Sequence, residues 1–312
     1  YEGRIRVSKV LSTPEDPGRA VLEGIAALGL RPSLVIHGTT VATNALLERR
    51  GARVAFVTNS RFSGLLPIAR QARAGLYDLR AARPSQLVAP SDCWEVEGRL
   101  DPDGRELRPL EAIDTGKTGT VAPQAIAVCL LHSYANPEHE LRVVEALGKR
   151  FPGVFISRSS EILPLFREYE RAVATTLNAY VQPVMSTYLT RLESALDVPL
   201  LINQSDGGMV TAQDASERPV NTLLSGPAGG VIGALRVGAF VGEKRLLTFD
   251  MGGTSTDVSL VDGTPRLTRE GSIGGLPLPV DAIDIHTVGA GGGSIAWIDG
   301  AGALKVGPQS AG

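Results

Sequence analysis

The stretch that decides the fold is Leu246–Leu260, with the sequence LLTFDMGGTSTDVSL. An apolar run typical of a β-strand ends at Asp250, two glycines and several hydroxyl residues follow, and Asp257 begins a second alternating run. The pattern predicts a β-hairpin whose turn exposes backbone N–H groups. Glycines let a phosphate approach the backbone closely, and consecutive N–H groups bind anions. We therefore predict a nucleotide-phosphate site here, with a tight turn in a buried hairpin as the simpler alternative.

The composition is that of an ordinary globular protein. The chain has 312 residues, of which 43% are hydrophobic and 21% charged, enough for two domains or one large one. The net charge of −2 gives no electrostatic reason to expect a nucleic acid or an anionic membrane as a partner. No stretch approaches the roughly 20 apolar residues that span a bilayer. The two cysteines, Cys93 and Cys129, form no disulfide framework, so we expect a reducing cytoplasm.

Strand-like and helix-like segments alternate along the chain. Short apolar strands are predicted at residues 34–38, 54–58, 125–131 and 200–203. With helices between them, this rhythm predicts an α/β fold of mixed, largely parallel sheets flanked by helices. Ile5–Leu11 also alternates like a strand. Arg167–Leu196 is predicted to be the longest helix, interrupted at Pro183.

The charged residues that open this long helix allow two interpretations. Arg167, Glu168, Glu170 and Arg171 are spaced to form an ion-pair ladder along the helix surface. Substrate binding is the alternative. We favour the ladder.

Two further segments are rich in small residues. The run Leu224–Leu235 predicts a helix in which small residues at helical spacing allow very close packing against a neighbouring element. Thr287–Trp297 holds four glycines in the five positions 289–293. Because apolar residues flank it, we expect this loop to lie against a nucleotide or a substrate, with a flexible loop as the alternative.

A possible metal site precedes the glycine loop. Asp281, Asp284 and His286 fall within six residues. Carboxylates and an imidazole at such spacing can ligate Mn, Zn or Fe. The alternative is that His286 is a hydrogen-bonded structural residue beside a strand.

The order of these segments resembles the actin, Hsp70 and sugar-kinase ATPase superfamily, in which a helix rich in small residues precedes the second phosphate loop. Several blocks together are similar to the hydantoinase A/5-oxoprolinase family of ATP-dependent lactam hydrolases, related to acetone and acetophenone carboxylase subunits. The blocks are HGTTVATNA at 37–45, LHSYANPEHE at 131–140, EILP at 161–164 with REYER at 167–171, SGPAGG at 225–230, DMGGTSTDV at 250–258 and HTVGAGGGSIA at 286–296.

The resemblance implies two lobes of RNase H-like topology, as in actin-like ATPases. An N-terminal hydantoinase A-like domain would cover residues 1–165, and an ATPase-like domain residues 166–312. ATP and Mg²⁺ would bind between the lobes, and the γ-phosphoryl group would activate the carbonyl oxygen of a hydantoin or 5-oxoproline. The implied partner is a hydantoinase B-type subunit or domain, and a homo-oligomer is compatible with it. The alternative hypotheses are that the chain belongs to an acetone/acetophenone-type carboxylase subunit, or that it is a non-catalytic nucleotide-binding or assembly module.

The resemblance also implies roles for particular residues. Catalytic roles fall on Asp250, Thr254 and Asp257, whose carboxylates suit a hydrated Mg²⁺. The expected nucleotide-binding residues are Gly226, Gly252, Gly253, Thr254, Thr256, Gly289, Gly291, Gly292 and Gly293. The expected substrate contacts at a strand-to-helix junction are Thr39, Thr40 and Asn44, with N-capping of the helix at Val41 as the alternative. His132 and His139 are candidates for a second divalent metal, Mn or Zn, or for a general base.

One departure from the family pattern concerns the ends of the chain. Members of the family begin with another Asp-x-Gly-Gly-Thr phosphate loop, ahead of the strand predicted at Ile5–Leu11. No such motif precedes Tyr1, and the sequence stops soon after the glycine loop. We therefore expect a trimmed piece of a longer polypeptide that carries one of two phosphate loops.

Overall fold

The computed structural model describes residues 5–13, 15–71, 86–111, 122–253 and 255–311. Its helices are α1 (Pro17–Ala27), α2 (Val41–Leu47), α3 (Leu65–Ile68), α4 (Glu138–Arg150), α5 (Ser159–Ile162), α6 (Glu168–Ser194), α7 (Ala212–Glu217) and α8 (Ser225–Val241). None of these helices is both long enough and apolar enough to cross a membrane.

The strands of the first two thirds of the chain are β1 (Val35–His37), β2 (Val54–Asn59), β3 (Cys93–Val96), β4 (Arg99–Leu100), β5 (Glu106–Arg108), β6 (Ala125–Val128), β7 (Phe155–Arg158), β8 (Leu200–Asn203) and β9 (Met209–Thr211). The later strands are β10 (Arg245–Met251), β11 (Thr256–Asp262), β12 (Thr264–Pro265), β13 (Leu267–Thr268), β14 (Gly271–Ile273), β15 (Leu276–Leu278), β16 (Ala282–Ile283), β17 (His286–Val288), β18 (Ser294–Ile298) and β19 (Leu304–Ser310).

The first sheet contains four parallel strands in the order β3-β2-β6-β7. Every residue of β2 and β6 is buried, because helices cover both faces of the sheet. Val57 packs in one apolar cluster with Val143 of α4, whereas its neighbour Phe56 belongs to the cluster that includes Leu177 of α6. The predicted α/β fold class, with a parallel sheet flanked by helices, is confirmed.

Helix α6 is the central element of the larger core. It runs unbroken from Glu168 to Ser194, so the predicted interruption at Pro183 is wrong. Ala179, Val181 and Met185 on either side of the proline are fully buried. Their packing offsets the roughly 3 kcal/mol that a proline costs inside a helix.

A second, smaller sheet joins early and late parts of the sequence. β1 pairs in parallel with β8, and β9 pairs antiparallel on the other side of β8. The carboxyl end of β1 leads directly into α2, and β8 ends at Asn203. These two strand ends lie side by side and form one wall of the candidate site.

The predicted hairpin at residues 246–260 is confirmed. β10 and β11 pair antiparallel along seven residues each, and β17 pairs antiparallel with the other edge of β11. Helix α8 packs on this sheet through Ala228 and Val231, which share a small core with Val261 and Ile283. The strand pairs after β9 are all antiparallel within the described residues, since short hairpin connections favour that arrangement. Parallel pairing is therefore confined to the earlier strands.

The strand predicted at Ile5–Leu11 does not form. Residues 5–11 take no regular structure, and Ile5 and Leu11 are 93% and 88% exposed. An alternating sequence becomes a strand only where another strand pairs with it, and no strand among the described residues does so here.

Candidate functional site

The hairpin turn and the glycine loop lie against each other. The turn is closed by a hydrogen bond from the Gly252 N–H to the Ser255 carbonyl, 2.9 Å long. The N–H groups of Gly292 and Gly293 donate to the carbonyls of Gly252 and Gly253, at 2.9 and 2.8 Å. The structure therefore joins two segments that the sequence separates by about forty residues.

These bonds also define what the glycine loop does. The N–H of Gly291 donates to the Ser294 hydroxyl at 2.8 Å, so three consecutive donors of the loop, at residues 291–293, are used within the protein. The buried Thr256 hydroxyl donates to the Ala290 carbonyl at 2.6 Å. Gly289 lies next to Gly307 of β19. In this arrangement the glycine loop and Thr256 hold the hairpin turn in place. The predicted binding of a phosphate by the glycine loop stays a prediction. Thr254 lies outside the described residues.

Asp250 and Asp257 occupy directly opposite positions on β10 and β11. Their side chains therefore lie on one face of the hairpin, where two like charges repel each other. The Thr287 hydroxyl donates to Oδ1 of Asp257 at 2.6 Å and thereby fixes that carboxylate. A pair of adjacent carboxylates with few other protein ligands fits a hydrated Mg²⁺, which keeps most of its coordination for water and phosphate oxygens.

Helix α8 turns its glycines toward these carboxylates and toward the end of β1. A side-chain carbon at Gly226 would lie 3.7 Å from Cγ2 of Thr40, and one at Gly230 would lie 4.0 Å from Oδ2 of Asp250. Gly229, on the same face, would come within 3.1 Å of the Asn203 amide nitrogen. The glycine face of α8 therefore connects the predicted substrate residues with the hairpin, and Gly229 is the one of the three at which a side chain would be crowded.

The predicted substrate residues fall into two groups. Thr39 is buried, and its hydroxyl accepts from the Val41 N–H at 3.2 Å, which closes the turn just before α2. The N-cap residue itself is Thr40, and it makes no side-chain capping bond. The Thr39 carbonyl accepts a hydrogen bond from the Ser225 hydroxyl at the start of α8, 3.2 Å long. Thr40, the N-cap of α2, and Asn44, one turn into the helix, are exposed, with the Asn44 amide 3.4 Å from the Thr40 hydroxyl. These two side chains remain free to contact a ligand.

Two residues that lie behind the turn from β1 to α2 were not identified from the sequence. His37, the last residue of β1, has its Nε2 atom 2.7 Å from the Tyr188 hydroxyl of α6, and Tyr188 also bonds the Thr39 side chain. Burial lowers the pKa of His37 to about 4 and raises the pKa of Tyr188. His37 is therefore neutral at pH 7. The HGTT block in the sequence includes His37. Its pairing with Tyr188 could not be predicted, because the two residues are 151 positions apart in the sequence.

Asn203 is the third such residue. It ends β8 and lies between Gly38 and Gly229. A side-chain carbon placed at either glycine would fall 3.4 or 3.1 Å, respectively, from the Asn203 amide nitrogen. A polar residue at the carboxyl end of a strand is the signal that could have identified it.

The metal group predicted at Asp281, Asp284 and His286 does not form. Among the residues that the structure describes, no set of three His, Cys, Asp or Glu side chains could hold a metal ion. Asp281 instead receives two hydrogen bonds from Arg269, at 2.6 and 2.8 Å. His286 lies in β17, opposite Val258 of β11. Asp281 precedes β16 and His286 is the first residue of β17, so closeness in sequence does not bring the three together.

The other two candidate metal ligands have separate surroundings. His139 is buried, with Nε2 2.7 Å from a carboxylate oxygen of Glu106. His132 lies beside Tyr134, whose hydroxyl is 3.5 Å from its Nδ1 atom. Partial burial, followed by the positive charges of Arg99 and Arg171, lowers the pKa of His132.

The ion-pair ladder expected at the start of α6 is wrong. Arg171 is only 1% exposed and donates to Ser133, Ser159 and the Leu130 carbonyl instead of a carboxylate. Glu170 pairs with Arg70, which follows α3. The helix face that bears Arg171 is turned into the protein, so the four charges cannot line up on the surface.

Comparison with known proteins places these features in one family. Residues 171–312 match the model of the hydantoinase/oxoprolinase family, and residues 1–151 match that of the hydantoinase/oxoprolinase N-terminal region. The chain is 39% identical over 308 residues to 5-oxoprolinase 1 of Arabidopsis thaliana, covering 88% of this chain and 24% of that protein.

Two solved structures are similar over nearly the whole chain. The ATP-dependent caprolactamase from Pseudomonas jessenii is 34% identical with a TM-score of 0.86, over 99% of this chain and 48% of that one. The nucleotide-free acetone carboxylase is 26% identical with a TM-score of 0.79, over 97% and 47%. The chain spans half of the length, or less, of the curated relatives it matches. With two models of one family matching residues 1–151 and 171–312, the chain belongs to the hydantoinase/oxoprolinase family.

Proposed function

We propose that this chain forms the ATP-binding part of an ATP-dependent enzyme that hydrolyses a cyclic amide. The observation that carries the proposal is the backbone bonding of the Gly252–Gly253 turn to the Gly292–Gly293 loop, beside the paired carboxylates of Asp250 and Asp257. A turn whose backbone is fixed by hydrogen bonds from the glycine loop is preorganised for a phosphate group. The names of two relatives, caprolactamase and 5-oxoprolinase, support a lactam as the substrate class.

The chemistry explains why such an enzyme uses ATP. An unstrained lactam is a poor electrophile because its amide resonance is retained. Transfer of the γ-phosphoryl group to the carbonyl oxygen makes that oxygen a leaving group, so that water can attack the ring carbon. The protein then contributes positioning and charge neutralisation. Mg²⁺, held by Asp250 and Asp257, would neutralise charge on the phosphates.

The lactam would bind at the other end of the α8 glycine face. Thr40 and Asn44 present a hydroxyl and an amide there, and both are exposed. The neutral His37 and Tyr188 would fix Thr39 behind them through the hydrogen bonds described above. The hydroxyl of Thr40 and the amide of Asn44 can donate and accept hydrogen bonds without carrying charge, which suits recognition of an uncharged ring amide.

The partner we propose is a hydantoinase B-type subunit or domain. The Pseudomonas jessenii relative is named as an alpha subunit, which supports a multi-subunit assembly. We further propose a cytoplasmic location, because both cysteines of this chain are free thiols and such thiols persist in a reducing compartment.

A second candidate function is ATP-dependent carboxylation. The similarity to acetone carboxylase extends over 97% of this chain, and phosphoryl activation of an enol or of bicarbonate would use the same hairpin.

The two functions can be separated by ADP release. The reading frame that contains this chain would be expressed with its B-type partner and supplied with hydantoin, 5-oxoproline or acetophenone, each with and without bicarbonate. We expect lactam-stimulated ADP release that is independent of bicarbonate. Turnover of the ketone only with bicarbonate would favour the carboxylase, and lactam-stimulated release that persists in Asp250→Ala would contradict the role of the hairpin.

A further inference from the structure

A second candidate region lies at the carboxyl edge of the parallel sheet. The chain passes from β2 to β3 on one side, returns to β6 on the other side of β2, and continues outward to β7. The connections of the adjacent strands β2 and β6 therefore diverge. In α/β proteins such a switch point opens a crevice at the strand ends, where ligands bind. We call the loops at residues 60–64 and 129–136 the β2–β6 junction.

The β2–β6 junction has a constrained backbone. Arg61 follows β2 with φ of 70°, and His132 follows β6 with φ of 61°. Both are non-glycine residues in the left-handed region, which costs about 1–3 kcal/mol each and concentrates at functional sites. The buried Asn59 ties the junction together, since its Oδ1 accepts from the Leu131 N–H at 2.7 Å and its Nδ2 donates to the Gly98 carbonyl at 2.8 Å.

A buried cation lies beneath the junction. Arg171 donates to the Ser133 hydroxyl, to the Ser159 hydroxyl at 3.1 Å and to the Leu130 carbonyl at 2.9 Å. Its Nε atom is buried without a hydrogen-bond partner. A buried charge is costly unless an opposite charge and full hydrogen bonding compensate it.

The nearest described counter-charge does not complete this compensation. Glu140 is fully buried, and its oxygens accept from the Leu130 N–H at 2.9 Å, the Ser159 hydroxyl at 2.6 Å and the Ser160 N–H at 2.8 Å. Within the described residues, Glu140 is linked to Arg171 through the Ser159 hydroxyl and forms no direct ion pair with it. The guanidinium therefore keeps an unused donor at the strand ends.

Aromatic rings lie beside both guanidinium groups of this region. The Arg171 guanidinium carbon is 5.3 Å from the centre of the Tyr134 ring, and the Tyr134 and His132 ring centres are 6.0 Å apart. At the other loop of the junction, the Arg99 guanidinium carbon is 5.6 Å from the Phe62 ring centre. Arg99 is partly exposed and forms no ion pair within the described part of the chain. Asp101 and Glu168 are the nearby acidic groups that act on His132.

We propose that the β2–β6 junction is a binding site for the oxyanion group, carboxylate or phosphate, of a small metabolite, held by Arg99 with Tyr134 and His132 alongside. A guanidinium fork matches the two oxygens of such a group. The site is separate from the Thr39 end of the candidate active site. Arg171 and Tyr188 stand 17 residues apart on α6, which is about 25 Å along a helix, so no small molecule contacts both.

The test uses the chain with ¹³C-labelled histidine, titrated separately with acetate and with inorganic phosphate at constant ionic strength. The chain has four histidines, and His132→Gln assigns the signal of interest. We expect a saturable shift of the His132 signal while that of the exposed His286 stays in place. A response mainly to phosphate would assign a phosphate-bearing ligand, and a response mainly to acetate a carboxylate.

Arg99→Gln provides the decisive comparison. Loss of a charge-assisted hydrogen bond should raise the Kd by about tenfold or more. Arg19→Gln is the matched control, because Arg19 lies on α1 at the Tyr188 end of α6 and pairs with Glu23 on the surface; its Kd should equal that of the unmodified chain. Equal melting temperatures of the two variants would show that the fold is intact. No saturable shift with either anion, or an unchanged Kd in Arg99→Gln, would overturn the proposal.

Discussion

At the scale of single residues, the opposed carboxylates of Asp250 and Asp257 make a magnesium-dependent prediction. Asp250→Asn removes one charge of the pair but keeps its shape. We expect the affinity for ATP in the presence of Mg²⁺ to fall by about tenfold or more, as for other lost charge-assisted contacts, whereas the weak binding without Mg²⁺ changes little. Isothermal titration with and without the metal measures both.

The same hairpin supplies the control for this prediction. Asp262 lies at the far end of β11, exposed and opposite Arg245, so Asp262→Asn changes the net charge equally without touching the turn. If both substitutions weaken Mg²⁺–ATP binding to the same extent, the effect is one of overall charge and the assignment of Asp250 fails.

His37 makes a prediction about pH. Burial lowers its pKa from 6.5 in the unfolded chain to about 4 in the folded protein, so the unfolded state binds the proton first. The free energy of unfolding should be unaffected by His37 above pH 6.5 and should decline as the pH falls from 6.5 toward 4, by roughly 3 kcal/mol in all. Urea unfolding of the unmodified chain and of His37→Gln at several pH values measures this.

The diagnostic quantity is the difference in unfolding free energy between these two proteins. It should shrink steadily as the solution is acidified, because only the unmodified chain carries the titrating imidazole. A difference that stays constant between pH 7 and pH 4.5 would show that His37 is not buried as the structure has it.

At the scale of elements, α8 allows a comparison of two glycines on one helix. A side-chain carbon at Gly233 meets nothing within 4 Å, whereas one at Gly229 lies 3.1 Å from the Asn203 amide. Gly233→Ala should raise the free energy of unfolding by about 0.5–1 kcal/mol, since alanine is the better helix former. Gly229→Ala should gain less stability and should weaken ATP binding, because it displaces Asn203 beside the glycine face.

Urea unfolding and ATP titration of both variants decide this prediction. The control is built in, because the two substitutions are chemically identical and differ only in their surroundings. Equal stability gains with unchanged ATP affinity in both variants would contradict the role given to the glycine face.

The elements also show which predictions a sequence supports. The hairpin at 246–260 and the helix starting near Ser225 were predicted correctly, because their signals are local: alternation, paired glycines and small residues at helical spacing. Ile5–Leu11 and Pro183 were misjudged because the outcome depends on partners far away in sequence. Ile5–Leu11 has no pairing strand among the described residues, and the helix continues through Pro183 because the residues around the proline are packed in the core.

At the scale of the whole molecule, the candidate site joins distant parts of the sequence. Gly38, Asn203 and Gly229 meet within side-chain distance, and the Thr39 carbonyl accepts from Ser225. The individual motifs were found from the sequence, but this junction was not, because no local pattern encodes which strand ends become neighbours. Asn203 and Tyr188 were missed for the same reason, whereas Asp281 and His286 were wrongly combined because they are close only in sequence.

This junction leads to a prediction about cooperativity between the two family regions. Thr40 and Asn44 lie within residues 1–151, whereas α8 and the hairpin lie within residues 171–312. If one ligand site spans both regions, Mg²⁺–ATP should slow amide hydrogen exchange in α2 and in the Gly252–Gly253 turn together, at the same ligand concentration. Exchange in α4, which packs on the far face of the parallel sheet, is the internal reference and should not change. Asp250→Asn should abolish the protection in both places. Protection of the turn alone would mean that the nucleotide site does not extend across α8 to the end of β1, and the proposed lactam position at Thr40 and Asn44 would then have to be abandoned.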